Sequence, residues 1–510
     1  MRKDWLVLKL GEFIPQKGSS IDPRKHSAEV FELYSVPSHE TNQPEIVKGK
    51  DIGATKQRVE NNWVMLSRIN PHLNRCWVIK SLSERTKIAS SEWVFFPPHS
   101  AFVPDYLGYF LVQSRIKNLM LANISGVGGS LTRTNKNAIR EFELALPPLP
   151  EQRAIVAKLE QLFSELDNGI ANLQRVQEKL KVYRQAVLKK AFEGELTKEW
   201  RAKQKDLPTA ETLLEQIKEE RARHYSEQLE EWKVAVKNWE KKGKVGKKPG
   251  KPSKLTEPDD PSTEHEKRKW LLPIGWIWTQ VGWLAFVTKL AGFEYTKHVV
   301  YSDKGDLRVI KAENAGKLGF NPTDYSKIDS DSVSMLTRSK LVGGELLIVF
   351  VGAGTGQVAT VPHSMKFFLG PNIGMARPYV EINNKYIELF LRSPLGRDLL
   401  MAASKAVAQP SLSMGTIRQA PVALPSRLEQ HQIVQEIESR LSVCDKLEES
   451  ITTNLQKAEA LRQSILKKAF EGALLSAAEL AACRKEKDWC PAGELLGKSS
   501  GTGKVKLQKA

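Results

Sequence analysis

Cysteine is scarce in this sequence. Its 510 residues contain four cysteines, at Cys76, Cys444, Cys483 and Cys490. Their spacing matches neither a zinc-binding pattern nor the disulfide framework of a small secreted domain. We therefore expect a protein of the reducing cytoplasm, in which each cysteine is a small buried side chain.

Long apolar runs are also absent. A membrane-spanning helix needs about 20 consecutive apolar residues, and a signal peptide needs an apolar stretch of about 7 to 15 residues near its start. Neither pattern occurs, and Arg2, Lys3, Asp4 and Lys9 interrupt the first ten residues. The sequence therefore predicts no membrane partner.

No catalytic motif stands out. The nine histidines are scattered, without a zinc-protease motif or a recognisable Ser, His and Asp set. The glycine-rich turn at 352–356 follows an apolar run, like a turn that binds a nucleotide or S-adenosylmethionine, but such a turn should open a helix. Another strand-like run, 357–361, follows instead. We expect a tight β-turn or a DNA-facing loop there, and no catalytic residue, metal or cofactor in the chain.

Positive charge is abundant. The chain has 77 Lys and Arg against 59 Asp and Glu, a net charge of +18, and 41% of its residues are hydrophobic. This composition supports globular cores, and the length is several times that of a usual domain. A basic chain without a membrane segment favours nucleic acid as its partner.

One long internal repeat organises the sequence. Residues 146–196 align without a gap on 424–474, with every pair 278 positions apart, 20 of 51 positions identical and a shared LKKAFEG run. A globular region precedes each copy. The order of globular region and repeat, occurring twice, indicates a duplicated half.

Each copy of the repeat has a helical pattern, because apolar residues recur at steps of three and four over more than four heptads. Pro150 suits a helix start, and Gly194 and Gly472 suit helix ends. Such a narrow apolar seam needs a partner, so we predict that the two helices pair as an antiparallel coiled coil with a pseudo-twofold repeat. A plain pair of core helices is the alternative, but it leaves the duplicated globular regions unexplained. The predicted seam residues are Ile155, Leu159, Leu162, Leu166, Leu173, Leu180, Ile433, Ile437, Leu441, Ile451, Leu455 and Ile465.

The globular regions combine short β-branched and aromatic runs with one helical stretch each, which predicts an α+β fold. The expected organisation is two globular domains, two helices, a linker and a mobile C-terminal tail. Their predicted bounds are 1–145 for the first domain, 146–196 for the first helix, 197–264 for the linker, 265–423 for the second domain, 424–475 for the second helix and 476–510 for the tail.

The linker has two parts. Residues 197–242 have a helical pattern and predict an exposed helix that can dock on a partner. Residues 241–254 contain seven lysines and no acidic residue, with interspersed glycine and proline. They predict a flexible basic segment, which serves either solubility or contact with DNA phosphates.

Polar and basic side chains cluster in loops of both globular regions. Such side chains hydrogen-bond phosphates and base edges, although solvated turn residues have the same composition. The candidate DNA-binding residues are Arg68, Arg75, Thr132, Arg133, Asn135, Lys136, Thr355, Gln409, Ser411 and Ser413.

The duplicated motifs resemble those of a known family. Each half contains Leu-Pro, Glu-Gln and Ile-Val and then Leu-Lys-Lys-Ala-Phe-Glu-Gly, and residues 271–276 read Leu-Leu-Pro-Ile-Gly-Trp. Over nearly its whole length the chain is similar to the specificity (S) subunit of type I restriction-modification systems, although its first domain begins differently, at Asp4 and Trp5.

The resemblance implies a division of labour. Each globular region would be a target recognition domain that reads one half of a bipartite, asymmetric site in double-stranded DNA, with the spacer set by the helices. Two modification subunits would dock on the helices and bring S-adenosylmethionine for adenine methylation. Restriction subunits would add ATP-driven translocation and cleavage, and the S subunit itself would be non-catalytic.

Two readings from other classes stay open at this point. One is a DNA methyltransferase that binds S-adenosylmethionine at 352–356, which binding of that cofactor by the isolated chain would reveal. The other is a basic coiled-coil scaffold that binds nucleic acid, including RNA. Competition between duplex DNA and structured RNA would separate it from a DNA reader.

Overall fold

The chain divides into two compact units. The computed structural model describes residues 2, 4–16, 18–125, 132–241, 243–244, 248–252, 272–379, 382–402 and 410–495. The first unit comprises Met1–Arg175 with Ser450–Ala510, and the second comprises Val176–Glu449. Each unit therefore contains one globular domain and parts of both copies of the repeat.

The repeated segments form two helices of 44 residues each, the first long helix (Leu149–Phe192) and the second long helix (Arg427–Phe470). Gly194 and Gly472 follow them with φ of +75° and +79°. Glycine enters this left-handed region without the penalty of a Cβ, so both predicted helix ends are confirmed. The twelve predicted seam residues are all buried or half-buried.

The long helices run antiparallel. In the first unit Arg462 forms an ion pair with Asp167, and its guanidinium lies 4.6 Å from the ring centroid of Phe163. In the second unit Arg184 Nη2 lies 2.7 Å from Asp445 Oδ1. Residue numbers therefore rise along one helix as they fall along the other. The predicted α+β class with an antiparallel coiled coil is confirmed.

The first domain is built on two sheets. The outer strands of its five-stranded sheet pair antiparallel, while Val30–Tyr34 and Lys87–Ala89 pair in parallel at its centre. In sheet order these five strands are Ser20–Ile21, Lys56–Arg58, Lys87–Ala89, Val30–Tyr34 and Glu45–Lys48. The antiparallel three-stranded sheet has the order Cys76–Val78, Val64–Ser67 and Trp93–Phe96.

Helices and two further strand pairs complete the first domain. Strand Leu6–Lys9 pairs with Glu143–Leu146 directly before the first long helix, and Ile124–Ser125 pairs with Arg133–Thr134. The helices of the domain are Pro104–Leu111, Ser114–Ala122 and Lys136–Arg140.

The second domain has the same plan with different sheets. Strand Ile277–Gln280 pairs with Pro421–Leu424 directly before the second long helix. One four-stranded antiparallel sheet has the order Ala285–Lys289, Ile373–Pro378, Leu346–Val349 and Val358–Thr360. The other has the order Lys327–Ile328, Leu307–Ile310, Phe367–Leu369 and Lys340–Leu341, and its central pair is parallel.

Shorter elements surround these sheets. Ala315–Gly316 and Gly319–Phe320 form a small hairpin. The helices of the second domain are Val281–Leu284, Gly292–His298, Asn384–Arg392, Pro394–Met401 and Met414–Gln419.

The linker is less exposed than its sequence predicts. It contains the helices Lys198–Lys203 and Ala210–Lys241. Ile217 and Arg221 in the second helix are buried, and the Arg221 guanidinium lies 4.5 Å from the ring centroid of Trp283. The start of this helix is therefore part of the second unit's core, because its apolar face packs on the domain that follows in sequence.

The rest of the linker is described only in part. Residues 222–241 are mostly exposed, in agreement with the expected exposed helix. Of the basic segment the structure describes 243–244 and 248–252, and Pro249 O accepts a hydrogen bond of 3.0 Å from Trp232 Nε1.

Residues 476–495 differ from the mobile tail expected there. Ser476 caps the helix Ala477–Cys483, whose Cys483 is buried, and Cys490 and Leu495 are buried in the first unit's core. Apolar residues spaced over a short segment hold the chain in place through tertiary packing, which local composition does not reveal. The part of the predicted tail at 496–510 lies outside the described residues.

Candidate nucleic-acid interface

A buried glutamine attaches each domain to the helix that follows it. Gln152 is fully buried, and its Nε2 donates to Ala101 O and Pro147 O, at 2.9 Å each, while its Oε1 accepts from Val103 N at 2.8 Å. Because buried polar groups are costly to leave unpaired, this side chain fixes the domain on the helix.

The second copy repeats this attachment. Gln430, 278 positions on, is also fully buried. Its Nε2 donates to Pro425 O at 3.1 Å, and its Oε1 accepts from Asn383 N at 3.1 Å. The shared Glu-Gln dipeptide in the sequence repeat is the signal for both residues, although their role as attachments required the structure.

A buried tyrosine in each domain bonds to the strand that leads into the long helix. Tyr106 Oη donates to Ala145 O at 2.7 Å, and Tyr386 Oη donates to Ala423 O at 2.6 Å. Burial raises the pKa of both phenols well above the usual value. The glutamine and tyrosine hydrogen bonds thus recur at matching places in both units, so the two domains join their long helices in the same way.

A buried carboxylate lies beside each glutamine. Glu429 accepts hydrogen bonds from Thr197 Oγ1 at 2.7 Å and from Trp276 Nε1 at 2.9 Å. In the first unit Glu151 Oε2 lies 3.3 Å from Arg2 Nη1, and burial raises the pKa of its carboxyl despite that cation. These acids therefore serve the attachment of the domains.

The candidate arginines of the first domain are ion-paired. Arg68 Nε and Arg133 Nη2 lie 3.3 and 3.1 Å from the carboxylate of Glu92. Hydrogen bonds to this carboxylate raise the pKa of Arg133. Arg75 Nη2 lies 2.5 Å from Glu40 Oε1. The structure thus brings Arg68 and Arg133 together, as a cluster whose charge is partly neutralised inside the protein.

Three other candidates surround this cluster. Thr132 O accepts a hydrogen bond from Asn70 N at 2.8 Å, which ties the loop to the Arg68 region. Asn135 is exposed, and its Oδ1 caps the helix Lys136–Arg140 by accepting from Asn137 N at 2.9 Å. Lys136 is exposed at the start of that helix. Residues predicted from separate stretches of sequence therefore share one region of the first domain.

In the second domain the candidates meet beside the glycine-rich turn. Ser411 forms a β-bridge with Val351, and Leu412 N donates to Phe350 O at 2.8 Å. Ser413 is exposed and caps the helix Met414–Gln419, accepting from Thr416 N at 2.9 Å. Gln409 lies outside the described residues.

Thr355 differs from the expected solvent-facing DNA contact. Its side chain is buried, and its Oγ1 donates to Gly352 O at 2.7 Å. The hydroxyl closes the turn because the left-handed glycines Gly352 and Gly356 bring the backbone of the turn within its reach.

The glycine-rich turn connects two antiparallel strands. The strand before the turn pairs with the strand after it, with Leu346 opposite Thr360 and Ile348 opposite Val358. The predicted β-turn is therefore present, and the turn opens no helix whose N-terminus could hold a phosphate. This geometry gives no support to an S-adenosylmethionine site at 352–356.

Other classes of site find no support among the described residues. They contain no group of three His, Cys, Asp or Glu side chains placed to bind a metal. Over the same part of the chain, no helix combines the length and apolarity needed to cross a membrane. Cys444, Cys483 and Cys490 are buried and Cys76 is half-buried, all four as free thiols.

Comparisons with known proteins agree with this architecture. The family model of the type I restriction modification DNA specificity domain matches residues 2–175 and 287–457. The EcoBI specificity subunit of Escherichia coli is 27% identical over 363 residues, which cover 69% of this chain and 62% of that subunit. The EcoKI specificity subunit of Escherichia coli (strain K12) is 26% identical over 393 residues, covering 74% of this chain and 67% of that subunit.

A solved structure shares the fold. It concerns complex assembly and conformational transition of the type I R-M system, and one of its chains matches with a TM-score of 0.66 and 16% identity. The match covers 93% of this chain and 99% of that chain. The family model covers most of the chain and matches it twice, once in each half, so the chain belongs to the type I restriction-modification DNA specificity family.

Proposed function

We propose that this chain is a non-catalytic DNA-recognition subunit that reads a bipartite, asymmetric site in double-stranded DNA. Each globular domain reads one half of the site, and the paired long helices set the spacer between the halves. The main observation in support is the duplication of the attachment. Gln152 in one unit and Gln430 in the other, each in the first turns of a long helix, accept a hydrogen bond from a backbone N–H of the preceding domain, that of Val103 and that of Asn383.

The charge of the chain supports DNA as the ligand. With a net charge of +18, lysines and arginines neutralise phosphates and give a salt-dependent, non-specific affinity. Polar side chains at the loops then discriminate between bases. The residues that we propose for these contacts are Arg68, Arg75, Thr132, Arg133, Asn135, Lys136, Ser411 and Ser413.

Rigid linkage of two domains that each bind DNA weakly raises the affinity of the whole chain for its DNA site. When one domain has bound its half-site, the helices hold the other domain near the second half-site, so the second contact is effectively intramolecular. Affinity and spacer length then depend on the same helices.

Exposed apolar residues on the long helices support partner docking. Val182 on the first long helix and Val443 and Leu447 on the second are 70%, 57% and 46% exposed. An apolar stripe left in water along a helix pair suits burial by another subunit. We propose that two modification subunits dock on the helices and methylate adenine within the site, and that restriction subunits join this complex.

Mapping of methylated adenines tests this proposal. The chain is expressed with its modification partner in a host without other DNA methylation, and the methylated sites are sequenced. We expect a single motif with two defined halves and a spacer of fixed length. A continuous motif without a spacer, or methylation without the chain, would contradict the proposal.

A further inference from the structure

The first domain contains a cavity at which, among the DNA contacts proposed above, only Lys136 lies. Its volume is about 310 Å³, and residues of both sheets line it. Lys56 and Gln57 come from the five-stranded sheet, Phe95 comes from the three-stranded sheet, and Trp63 lies directly before that sheet's central strand. Lys136, at the start of a short helix, lies at the same cavity.

One wall of the cavity is aromatic. Trp63 and Phe95 are half-buried, with ring centroids 6.3 Å apart and an interplanar angle of 68°. Trp93 also lines the cavity, although almost none of its surface is exposed, and its Nε1 donates to Tyr34 O at 3.0 Å. By contrast, Trp63 Nε1 makes no hydrogen bond with any described residue, so the cavity offers an apolar surface together with a free donor.

Two lysines supply uncompensated positive charge. Neither Lys56 nor Lys136 forms an ion pair among the described residues, and none of the residues lining the cavity is acidic. The arginines Arg68 and Arg75 differ in this respect, since Glu92 and Glu40 pair with them. The cavity therefore carries two lysine side chains that can bind an anion.

Two glutamines supply hydrogen-bonding groups. Gln57 Nε2 donates to Arg58 O at 3.2 Å, which leaves Oε1 unbonded by any described residue, and Gln16 is exposed at the rim. The backbone at Gly18 lies so close that a Cβ there would clash with Gln57 Oε1. Glycine at this position therefore leaves room for the amide at the cavity wall.

We propose that the residues lining this cavity contact one nucleotide of the first DNA half-site, at its base edge and its flanking phosphates. Lys56 and Lys136 bind the phosphates that flank the nucleotide, because they are the unpaired cations at the cavity. Gln16, Gln57 and Trp63 hydrogen-bond the base edge in the groove, and Phe95 packs against the deoxyribose or a thymine methyl. The proposal rests on the proposed function and specifies which residues of the first domain read DNA.

Salt dependence of binding tests the lysines. Binding of the full chain with its modification partner is measured by fluorescence anisotropy on duplex DNA that carries the mapped site. If each lysine binds one phosphate, the double variant K56A/K136A should reduce the slope of log affinity against log salt by about 1.8. The control K25A/K50A removes two exposed lysines of the same domain that do not line the cavity, and its slope should stay that of the parent.

Base preference tests the polar groups. Q57A and W63F should each lower discrimination at one base pair of the first half-site by about tenfold and leave the second half-site unchanged. The arginine variant K56R/K136R should keep the parental slope, because it keeps both charges.

The outcomes separate the two proposals. If the parent fails to prefer its site over a duplex with scrambled half-sites, the proposed function fails. If the parent binds its site but K56A/K136A has the same slope as K25A/K50A, or if Q57A and W63F leave base preference unchanged, the cavity proposal alone is overturned. Hydrogen exchange of each variant shows whether the domain is folded, so a folding defect cannot imitate a binding defect.

Discussion

Substitution of Gln152 by methionine tests the attachment of the first domain to the first long helix. Methionine nearly preserves the volume of the side chain but can make none of the three hydrogen bonds to Ala101 O, Pro147 O and Val103 N. The site is fully buried, so no bulk water replaces these bonds.

The expected effect follows from the three partners. Each lost hydrogen bond costs about 1 kcal/mol net, and a backbone group left buried without a partner costs up to about 3 kcal/mol. Allowing for partial relaxation, Gln152→Met should lower the local free energy of opening by about 3 to 5 kcal/mol. Opening would then become about 150 to 5,000 times more frequent in the segments that bear these groups.

Hydrogen exchange with mass spectrometry measures this effect in the full chain. A chain with two units need not unfold in one step, so segment-resolved exchange is a better measure than one global transition. Faster exchange is expected in 101–107 and 144–152, with unchanged exchange in 382–390 of the second unit. The control is Gln161→Met, since Gln161 is exposed on the same helix. Equal exchange in both variants would refute the assigned role of Gln152.

Two further predictions concern particular contacts. Tyr386→Phe removes the hydrogen bond to Ala423 O and should cost about 1 to 2 kcal/mol of local stability in the second unit. Tyr106→Phe removes the hydrogen bond to Ala145 O and should have the same effect in the first unit. Hydrogen exchange that changes in both units for either variant would contradict this. The hydrogen bond from Ser476 N is the largest cause, and that from Lys158 the next, of a lowering of the pKa of Glu479 from 4.5 to about 2. The ionised carboxylate therefore stabilises the helix Ala477–Cys483 above pH 4.5, and this stabilisation is lost as the pH falls towards 2. The protection factors of the amides in 477–483, which correct for the intrinsic effect of pH on exchange, should fall over that window. Glu479→Gln should remove this pH dependence, and an unchanged dependence in that variant would contradict the assignment.

The repeat and the helices were predictable because their signals are local. Steps of three and four between residues such as Ile155 and Leu159 describe a helix face without reference to the rest of the chain. Gly194 and Gly472 mark the helix ends for an equally local reason, the left-handed backbone that follows a helix. The identical motifs 278 positions apart then predicted that both helices belong to one design.

The proposed DNA-binding surface was less predictable because it depends on contacts that only the folded chain makes, such as ion pairs between residues far apart in the sequence. Arg68 and Arg133 were singled out by residue type, but only the fold shows that Glu92 pairs with both. Thr355 differs for another reason, because its hydroxyl donates to Gly352 O within the same turn, a bond that depends on the backbone shape of the turn. The folded backbone and the side chains that it brings together thus determine which charges and hydroxyls remain available.

The cavity of the first domain illustrates the same limit. Its aromatic wall and its lysines come from Lys56, Trp63, Phe95 and Lys136, which no sequence motif connects. Their proximity follows from tertiary packing, since Lys56 belongs to the five-stranded sheet, Phe95 to the three-stranded sheet and Lys136 to a short helix. A pattern search along the chain cannot find residues that only such packing brings together.

Insertion of one heptad into both long helices tests the central claim most directly. The insertions follow Leu173 and Leu455, which lie at the same level of the antiparallel pair as judged from the ion pair of Asp167 with Arg462. Seven residues add about 10 Å of helix, the length of about three base pairs, and keep the apolar seam in phase. The methylation map of this variant should show both half-sites unchanged with a spacer about three base pairs longer. A variant that folds and methylates the original site with the original spacer would contradict the role of the helices in setting that distance.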